Sequence, residues 1–356
     1  MTDALQAGIL LMALLRTSPT ERAKRVTGEP TCPFGPTEFV LFLHGIPHLG
    51  EKTLAHLLRL HGQHRLVPDT FRTLSALELQ RQYAIPPAAA AHMAGFPTAT
   101  IARTAEIAKT LRHQSIQVLT AQSATFPWRL EAFDDAPPPV LYALGNLAVL
   151  DGPSAPPEAR FTFTCAASNG APANSLARQD EIANALVEAG GAPVTGHDRP
   201  PYQRLALSAQ RQNRSVCYVF DRGLREALGP EFDRPPFAAA RIRDAAFDRS
   251  RDLALSPFRL DDHSLGANNR RRDRLIFALA DVIIGIDVRS GGGMEAECLR
   301  AHRLGQGVFI APGGREGNTA LITAGCRPLP DEPGWAFRIA ENTATQGNGK
   351  GGSHAG

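Results

Sequence analysis

Lysine is nearly missing from this chain. Only Lys24, Lys52, Lys109 and Lys350 occur among 38 lysine and arginine residues, so almost all positive charge is guanidinium. A guanidinium is planar and always charged, and its donors match phosphate oxygens two at a time. Aromatic residues are sparse at 6%, and no stripe of them interleaves with basic positions, so an extended base-stacking platform is not expected. The loop G-x-x-x-x-G-K-[ST] is absent, which argues against phosphate-loop ATP hydrolysis. The five cysteines, Cys32, Cys165, Cys217, Cys298 and Cys326, include no C-x-x-C. They predict neither a disulfide framework nor a zinc site, and they suit a reducing cytoplasm. His44 and His48 fall in a predicted turn and the other histidines form no ligand pair on a helix, so no metal and no cofactor is expected. The apolar stretch Ala4–Leu15 lacks a basic leader and is too short to span a bilayer, so it reads as a core-facing helix without membrane partners.

What is present is an ordinary globular composition, 43% hydrophobic and 21% charged, with a formal charge of only +3 over 356 residues. That length accommodates two domains. Residues 1–125 carry Leu and Ala at helical spacing, broken at Pro and Gly. Residues 126–157 form a Pro-rich connector, containing Pro137-Pro138-Pro139 and Pro156-Pro157. Between 158 and 330, short apolar runs alternate with helical segments. The runs are Phe161–Cys165, Ala192–Thr195, Val216–Phe220, Leu253–Ser256, Val282–Ile286 and Val308–Ala311. Alternation of this kind predicts an α/β fold, a Rossmann-like parallel sheet with helices on both faces, preceded by a small helical domain. Ser175 is a candidate N-cap for the helix that Gly190-Gly191 ends. Residues 331–356 are expected to be a flexible tail, Gly-rich from Gln346 onward.

In a doubly wound sheet, ligands lie beyond the carboxyl ends of the strands. The turns holding Ser168 and Asn169, Gly196 and Arg199, and Ser290, Gly291 and Gly292 would meet there, where glycines let backbone amides approach an anion. Arg270, Arg271, Arg272 and Arg274 open the helix before the fifth run. Four arginines in five positions cannot share one helix face, so at least one is expected to pair with an acid such as Asp261, Asp262 or Asp273. In the helical region, Leu43–Leu54 has the form of a helix-hairpin-helix. Gly45 and Gly50 frame its turn, and Lys52 starts a helix whose free amides suit a phosphate. Packing two helices together is the plainer explanation of that motif.

The strings Phe126–Leu130, Leu141–Asn146, Arg271–Ile276, Ser290–Gly292 and Gln306–Gly313, in that order, together resemble the DprA/Smf family, the DNA-processing proteins of natural transformation. Phe126-Pro127-Trp128-Arg129-Leu130, followed by Leu141-Tyr142-Ala143-Leu144-Gly145-Asn146, is similar to the family's YPxxL…LYxxGN. As a physical segment it reads as an extended edge that buries Trp128, Leu130, Leu141 and Tyr142. Arg271-Arg272-Asp273-Arg274-Leu275-Ile276 is similar to R-R-N-R-I-I, Ser290-Gly291-Gly292 to S-G-S, and Gln306–Gly313 to R-E-V-F-A-V-P-G. The likeness runs from about residue 38 to 325. Two motifs depart from the pattern: the family's G-S-R reads Ala167-Ser168-Asn169, and its S-G-x-A-x-G-I-D turn reads Thr195–Pro201, with Arg199 or Arg204 available to restore charge. No winged-helix segment is expected after residue 330.

The resemblance implies a cytoplasmic, self-associating protein that binds single-stranded DNA through phosphate contacts, serves DNA processing and recombination by loading a RecA-type recombinase, and makes or breaks no bond. Two other readings stay open. Gly293-Met294-Glu295-Ala296-Glu297 has the spacing of G-T-x-x-E in the LOG-type nucleotide phosphoribohydrolases, where Glu295 or Glu297 would act on an N-glycosidic bond. Either glutamate is equally a helix first-turn acid favoured by the dipole. A nucleotide-sensing module of a defence system is the third.

Overall fold

The structure, a computed structural model, describes residues 34–151, 160–237 and 246–350. The expected helix Ala4–Leu15, Cys32 and Pro156-Pro157 lie outside these residues. Six helices come first: α1 (Pro36–Gly45), α2 (Glu51–Gly62), α3 (Pro68–Arg72), α4 (Ala76–Tyr83), α5 (Pro87–Met93) and α6 (Thr98–His113). Local chemistry sets their ends. Pro opens α1, α3 and α5, and Ser75 with Glu78 forms a capping box on α4.

The sheet follows: β1 (Gln117–Leu119), β2 (Leu141–Gly145), β3 (Phe161–Ala167), β4 (Gly191–Thr195), β5 (Cys217–Val219), β6 (Leu253–Ser256), β7 (Val282–Asp287), β8 (Gly307–Ile310) and β9 (Arg327–Pro328). All six expected runs are strands, shifted by at most two residues at an end. The order is β1-β2-β6-β5-β4-β3-β7-β8-β9. Only β2 opposes its neighbours; the pairings from β6 through β9 are parallel. Helices α7 (Trp128–Phe133), α8 (Ala173–Glu188), α9 (Pro200–Gln210), α10 (Leu224–Leu228), α11 (Asn268–Leu279), α12 (Gly293–Arg303), α13 (Glu316–Thr323) and α14 (Trp335–Lys350) complete the chain.

Successive strand residues face opposite sides of a sheet, and the core divides accordingly. Phe161, Phe163, Cys165, Val282, Ile284 and Tyr218 join one apolar cluster with α8, α9, α14 and the first six helices. Ala166, Ile283, Cys217 and Val219 join the other with α7, α11, α12 and Leu321 of α13. The helical front end is therefore continuous with one face of the sheet. Cys165, Cys217, Cys298 and Cys326 are free and buried. No helix among the described residues is long and apolar enough to cross a membrane.

Four expectations need correction. The segment from Phe126 is not an extended edge: it forms α7, and β2 sits inside the sheet between β1 and β6. Leu130, Leu141 and Tyr142 are buried as expected, but Trp128, the first residue of α7, is 58% exposed. Ser175 is not the N-cap of α8; the helix starts after Pro172, and Gly190, at φ +92°, ends it. Within 331–356, expected to be a flexible tail, Trp335–Lys350 forms a helix with Ala336, Ile339 and Ala340 packed into the core, and 351–356 lie outside the described residues.

The Gly145-Asn146 pair has a structural explanation. Gly145 has φ +103°, and a Cβ there would lie 2.1 Å from the Asp252 carbonyl oxygen. Asn146 accepts a hydrogen bond from the Ala148 amide and starts a 3-10 turn, Leu147–Leu150. Gly145→Ala is expected to cost on the order of 1–3 kcal/mol in urea unfolding from backbone strain at positive φ, with the close approach adding to it. An unchanged midpoint would mean that the β2–β6 junction relaxes freely.

Candidate anion-binding crevice

The winding of the sheet reverses between β3 and β7. From β3 the chain moves outward to β4, β5 and β6, then returns to the other side of β3 for β7, β8 and β9. A crevice opens beyond the carboxyl ends at such a point, because the connecting helices leave in opposite directions. Three loops are tied together there. The Ser168 hydroxyl accepts a hydrogen bond from the Arg289 amide at 2.8 Å. Arg315 pairs through Nε with the buried Asp287 carboxylate at 3.0 Å and donates to the carbonyls of Asn169 and Gly170. Asn318, itself buried, donates to the carbonyls of Ile286, Ala311 and Gly313 and accepts from the Val288 amide. Sequence reasoning missed Arg315, Asp287 and Asn318, although Arg315 directly follows the glycine turn after β8.

Asn169 and Ser290 are exposed on this rim. Gly291 adopts φ +69°, a conformation glycine takes without strain. Its amide is not free: it donates to the Glu295 carboxylate at 2.6 Å. Gly292 is the N-cap of α12. The Arg289 guanidinium is exposed and, among the described residues, its hydrogen bond is to the Asn169 carbonyl at 3.4 Å.

Gly196 and Arg199, in the turn after β4, are packed against Tyr202, Arg272 and Asp273. A Cβ on Gly196 would lie 2.7 Å from the Tyr202 ring and 3.2 Å from Cδ of Arg272, so this glycine serves close packing. Arg272 is fully buried, donating to Asp198 at 2.6 Å and Asp273 at 2.9 Å, with the Tyr202 ring 5.0 Å away. Arg199 donates to Asp273 at 3.1 Å and to the Tyr202 hydroxyl at 2.8 Å. Two arginines and two aspartates neutralise one another here.

The remaining arginines of α11 separate. Arg271 pairs with Glu51 at the start of α2 and lies over the Phe258 ring. Arg274 turns the other way, toward Asp134 at 3.3 Å and Glu297 at 3.4 Å. Arg270 is exposed and has no carboxylate partner among the described residues. Three of the four arginines are thus held by acids, where at least one was expected to be. The hairpin brings its tip to this end of α11: Gly45 closes α1, Gly50 caps α2, and Lys52 is exposed beside Glu51. Among the described residues, no group of three His, Cys, Asp or Glu is placed to hold a metal ion.

Burial holds two imidazoles neutral. His197, beside Asp221 at 3.7 Å, is lowered to about 4, chiefly by desolvation; Asp221 opposes this while Arg222 adds to it. His44, hydrogen-bonded to the Tyr142 hydroxyl at 2.9 Å, is lowered to about 4 by burial, with Arg259 and Arg271 adding. Unfolded, each would take up a proton near pH 6.5. The unfolded state therefore binds more protons between about pH 6.5 and 4, and stability should fall as pH drops through that window. Urea unfolding at about pH 7.5 and about pH 5 tests this. A midpoint that does not move would show both histidines already accommodated as cations.

The fold and site define a doubly wound α/β protein with a helical front end and an arginine-bearing crevice at its switch point. Its architecture is that of DNA processing protein A, DprA. The crystal structure of DprA from Streptococcus pneumoniae matches with TM-score 0.60 and 19% sequence identity, covering 83% of this chain and 94% of that one. DprA from Helicobacter pylori, whose structure describes a single-stranded DNA binding mode, matches with TM-score 0.50 and 17% identity, over 66% of this chain and 98% of that one. No protein-family model matches the sequence, and no curated protein matches it. The likeness is one of fold.

Proposed function

We propose that this chain is a diverged DprA-type protein that binds single-stranded DNA along the crevice, without catalysis. The observation that carries this reading is the pair Arg270 and Arg289. Both are exposed near the carboxyl ends of the sheet, and neither is neutralised by a carboxylate among the described residues. Guanidinium groups in that state attract a phosphate backbone and release counterions on binding, which makes affinity salt-dependent. Asn169, Ser290 and Gly292 line the rim as polar and backbone partners, with the buried Ser168 tying the Arg289 amide beneath them. Lys52 at the hairpin tip extends the path toward α2. The DprA fold, and the single-stranded DNA binding described for the Helicobacter counterpart, support the choice of ligand.

The test is fluorescence anisotropy of a labelled single strand of about 30 nucleotides, against duplex, over a salt series. Preferential binding with a log–log slope of about −0.7 per phosphate contacted is the expected result. Equal affinity for duplex, or none at low salt, removes the reading. A cytoplasmic location, recombinase loading and homodimerisation rest on the family resemblance and belong to this proposal. Sedimentation velocity of the purified chain, alone and with a RecA-type recombinase, examines the last two. Whether the pathway is transformation, repair or defence follows from the partner found.

One observation favours the N-glycosidic hydrolase reading. The Glu297 carboxyl is raised above its ordinary range by burial and sits 3.4 Å from the Arg274 guanidinium. Release of free base from a nucleoside monophosphate, abolished in Glu297→Gln, would replace the binding-only reading.

A further inference from the structure

At the amino-terminal edge of the sheet, opposite the crevice, lies a cavity of about 490 Å³ between α7, the ends of α11 and α12, and α14. That volume falls within the range of small-molecule sites, roughly 300–1,000 Å³. The motif Phe126–Leu130, which the crevice does not use, supplies part of the wall through Trp128 and Arg129. Trp128 is 58% exposed, although an indole is a large apolar surface to leave in water. Phe133 and Phe309 continue the aromatic wall.

The charges of the lining are of two kinds. Arg129 and Asp281 pair at 2.7 Å; Asp281 also accepts from the Thr162 amide and hydroxyl, and Arg129 also donates to the Leu150 carbonyl at 3.3 Å, so the charges of this pair are satisfied within the protein. Arg327 stacks over the Phe309 ring at 4.3 Å and has no carboxylate partner among the described residues. The Trp128 indole, with the Arg129 guanidinium 5.7 Å from its ring on one side and more than half of its surface exposed, together with one guanidinium lacking a carboxylate partner among the described residues, selects for a planar ring that carries an anion. We infer that this cavity is a second ligand site, taking a planar heteroaromatic ring with an anionic group, the chemistry of a nucleoside monophosphate. The ring stacks on Trp128 and the anion meets Arg327. Its source is either a free nucleotide or the terminal residue of a DNA strand.

Isothermal titration of the full chain with deoxyadenosine monophosphate tests the site. Deoxyadenosine and inorganic phosphate serve as controls for the two halves of the ligand. Trp128→Ala and Arg327→Gln, both at exposed positions, should each weaken binding about tenfold while leaving the thermal melt unchanged. Arg270→Ala/Arg289→Ala, in the crevice, should leave this affinity as it is. Competition by a 30-nucleotide strand would identify the occupant as a strand end, and its absence as free nucleotide; both uphold the site. No binding to the unsubstituted chain overturns it. So does binding that survives in Trp128→Ala and Arg327→Gln but is lost in the crevice variant.

Discussion

Arg272→Ala is expected to destabilise the protein by roughly 3–5 kcal/mol, the usual cost of removing one partner from a buried ion pair. The side chain is fully buried, and its two fork donors reach Asp198 and Asp273. Without it, Asp273 keeps Arg199 at 3.1 Å, but the nearest remaining guanidinium atom to Asp198 is Nε of Arg199, at 3.9 Å. The lost guanidinium also leaves space beside Gly196 and Tyr202, where a Cβ would have touched Cδ of Arg272. Arg272→Lys should recover only part of the loss, because an ammonium offers no planar fork to two carboxylates. Urea unfolding gives the stability, and anisotropy with single-stranded DNA on the folded protein gives the affinity. Unchanged stability with lost affinity would show that Arg272 meets phosphate directly and that its burial is not maintained in solution.

Arg270→Ala/Arg289→Ala, by contrast, should leave stability nearly unchanged and weaken single-strand binding by about 10- to 100-fold at low salt. Neither side chain is paired with an acid among the described residues, so its removal strands no buried charge there. Losing two phosphate contacts should also reduce the magnitude of the log–log salt slope by about 1.4. Arg271→Ala and Arg274→Ala should change affinity much less, since their charge is already spent on Glu51, Asp134 and Glu297. The contrast separates arginines without a carboxylate partner among the described residues from those already neutralised. If the ranking were reversed, the DNA path would run over the hairpin and the α7–α12 side rather than the switch point.

These two results bear on why the arginine-rich string resembles a DNA-contacting motif while most of it is spent on structure. Arg272 and Asp198 are 74 positions apart, Arg274 and Asp134 are 140 apart, and Arg271 and Glu51 are 220 apart. Such pairings arise only when helices from distant parts of the chain converge. The diverged turn Thr195–Pro201 is part of the same adjustment, because its Asp198 and Arg199 enclose the buried arginine. The rim of the crevice, by contrast, was legible as a place. Glycine turns after apolar runs sit at the carboxyl ends of parallel strands wherever the sheet is doubly wound.

By itself the sequence determined the six central strands, the helices between them and the α/β class. Parallel strands buried on both faces are continuous apolar runs, and helices between them begin and end at proline and glycine, so this information is local. Tertiary structure alone decided that β2 lies within the sheet, that Trp335–Lys350 is a helix docked through Ala336, Ile339 and Ala340, that Trp128 faces solvent beside a cavity, and which arginines meet a carboxylate among the described residues. Each of these depends on which surfaces meet across the fold. A side chain's charge is available for a ligand only if no distant carboxylate reaches it first.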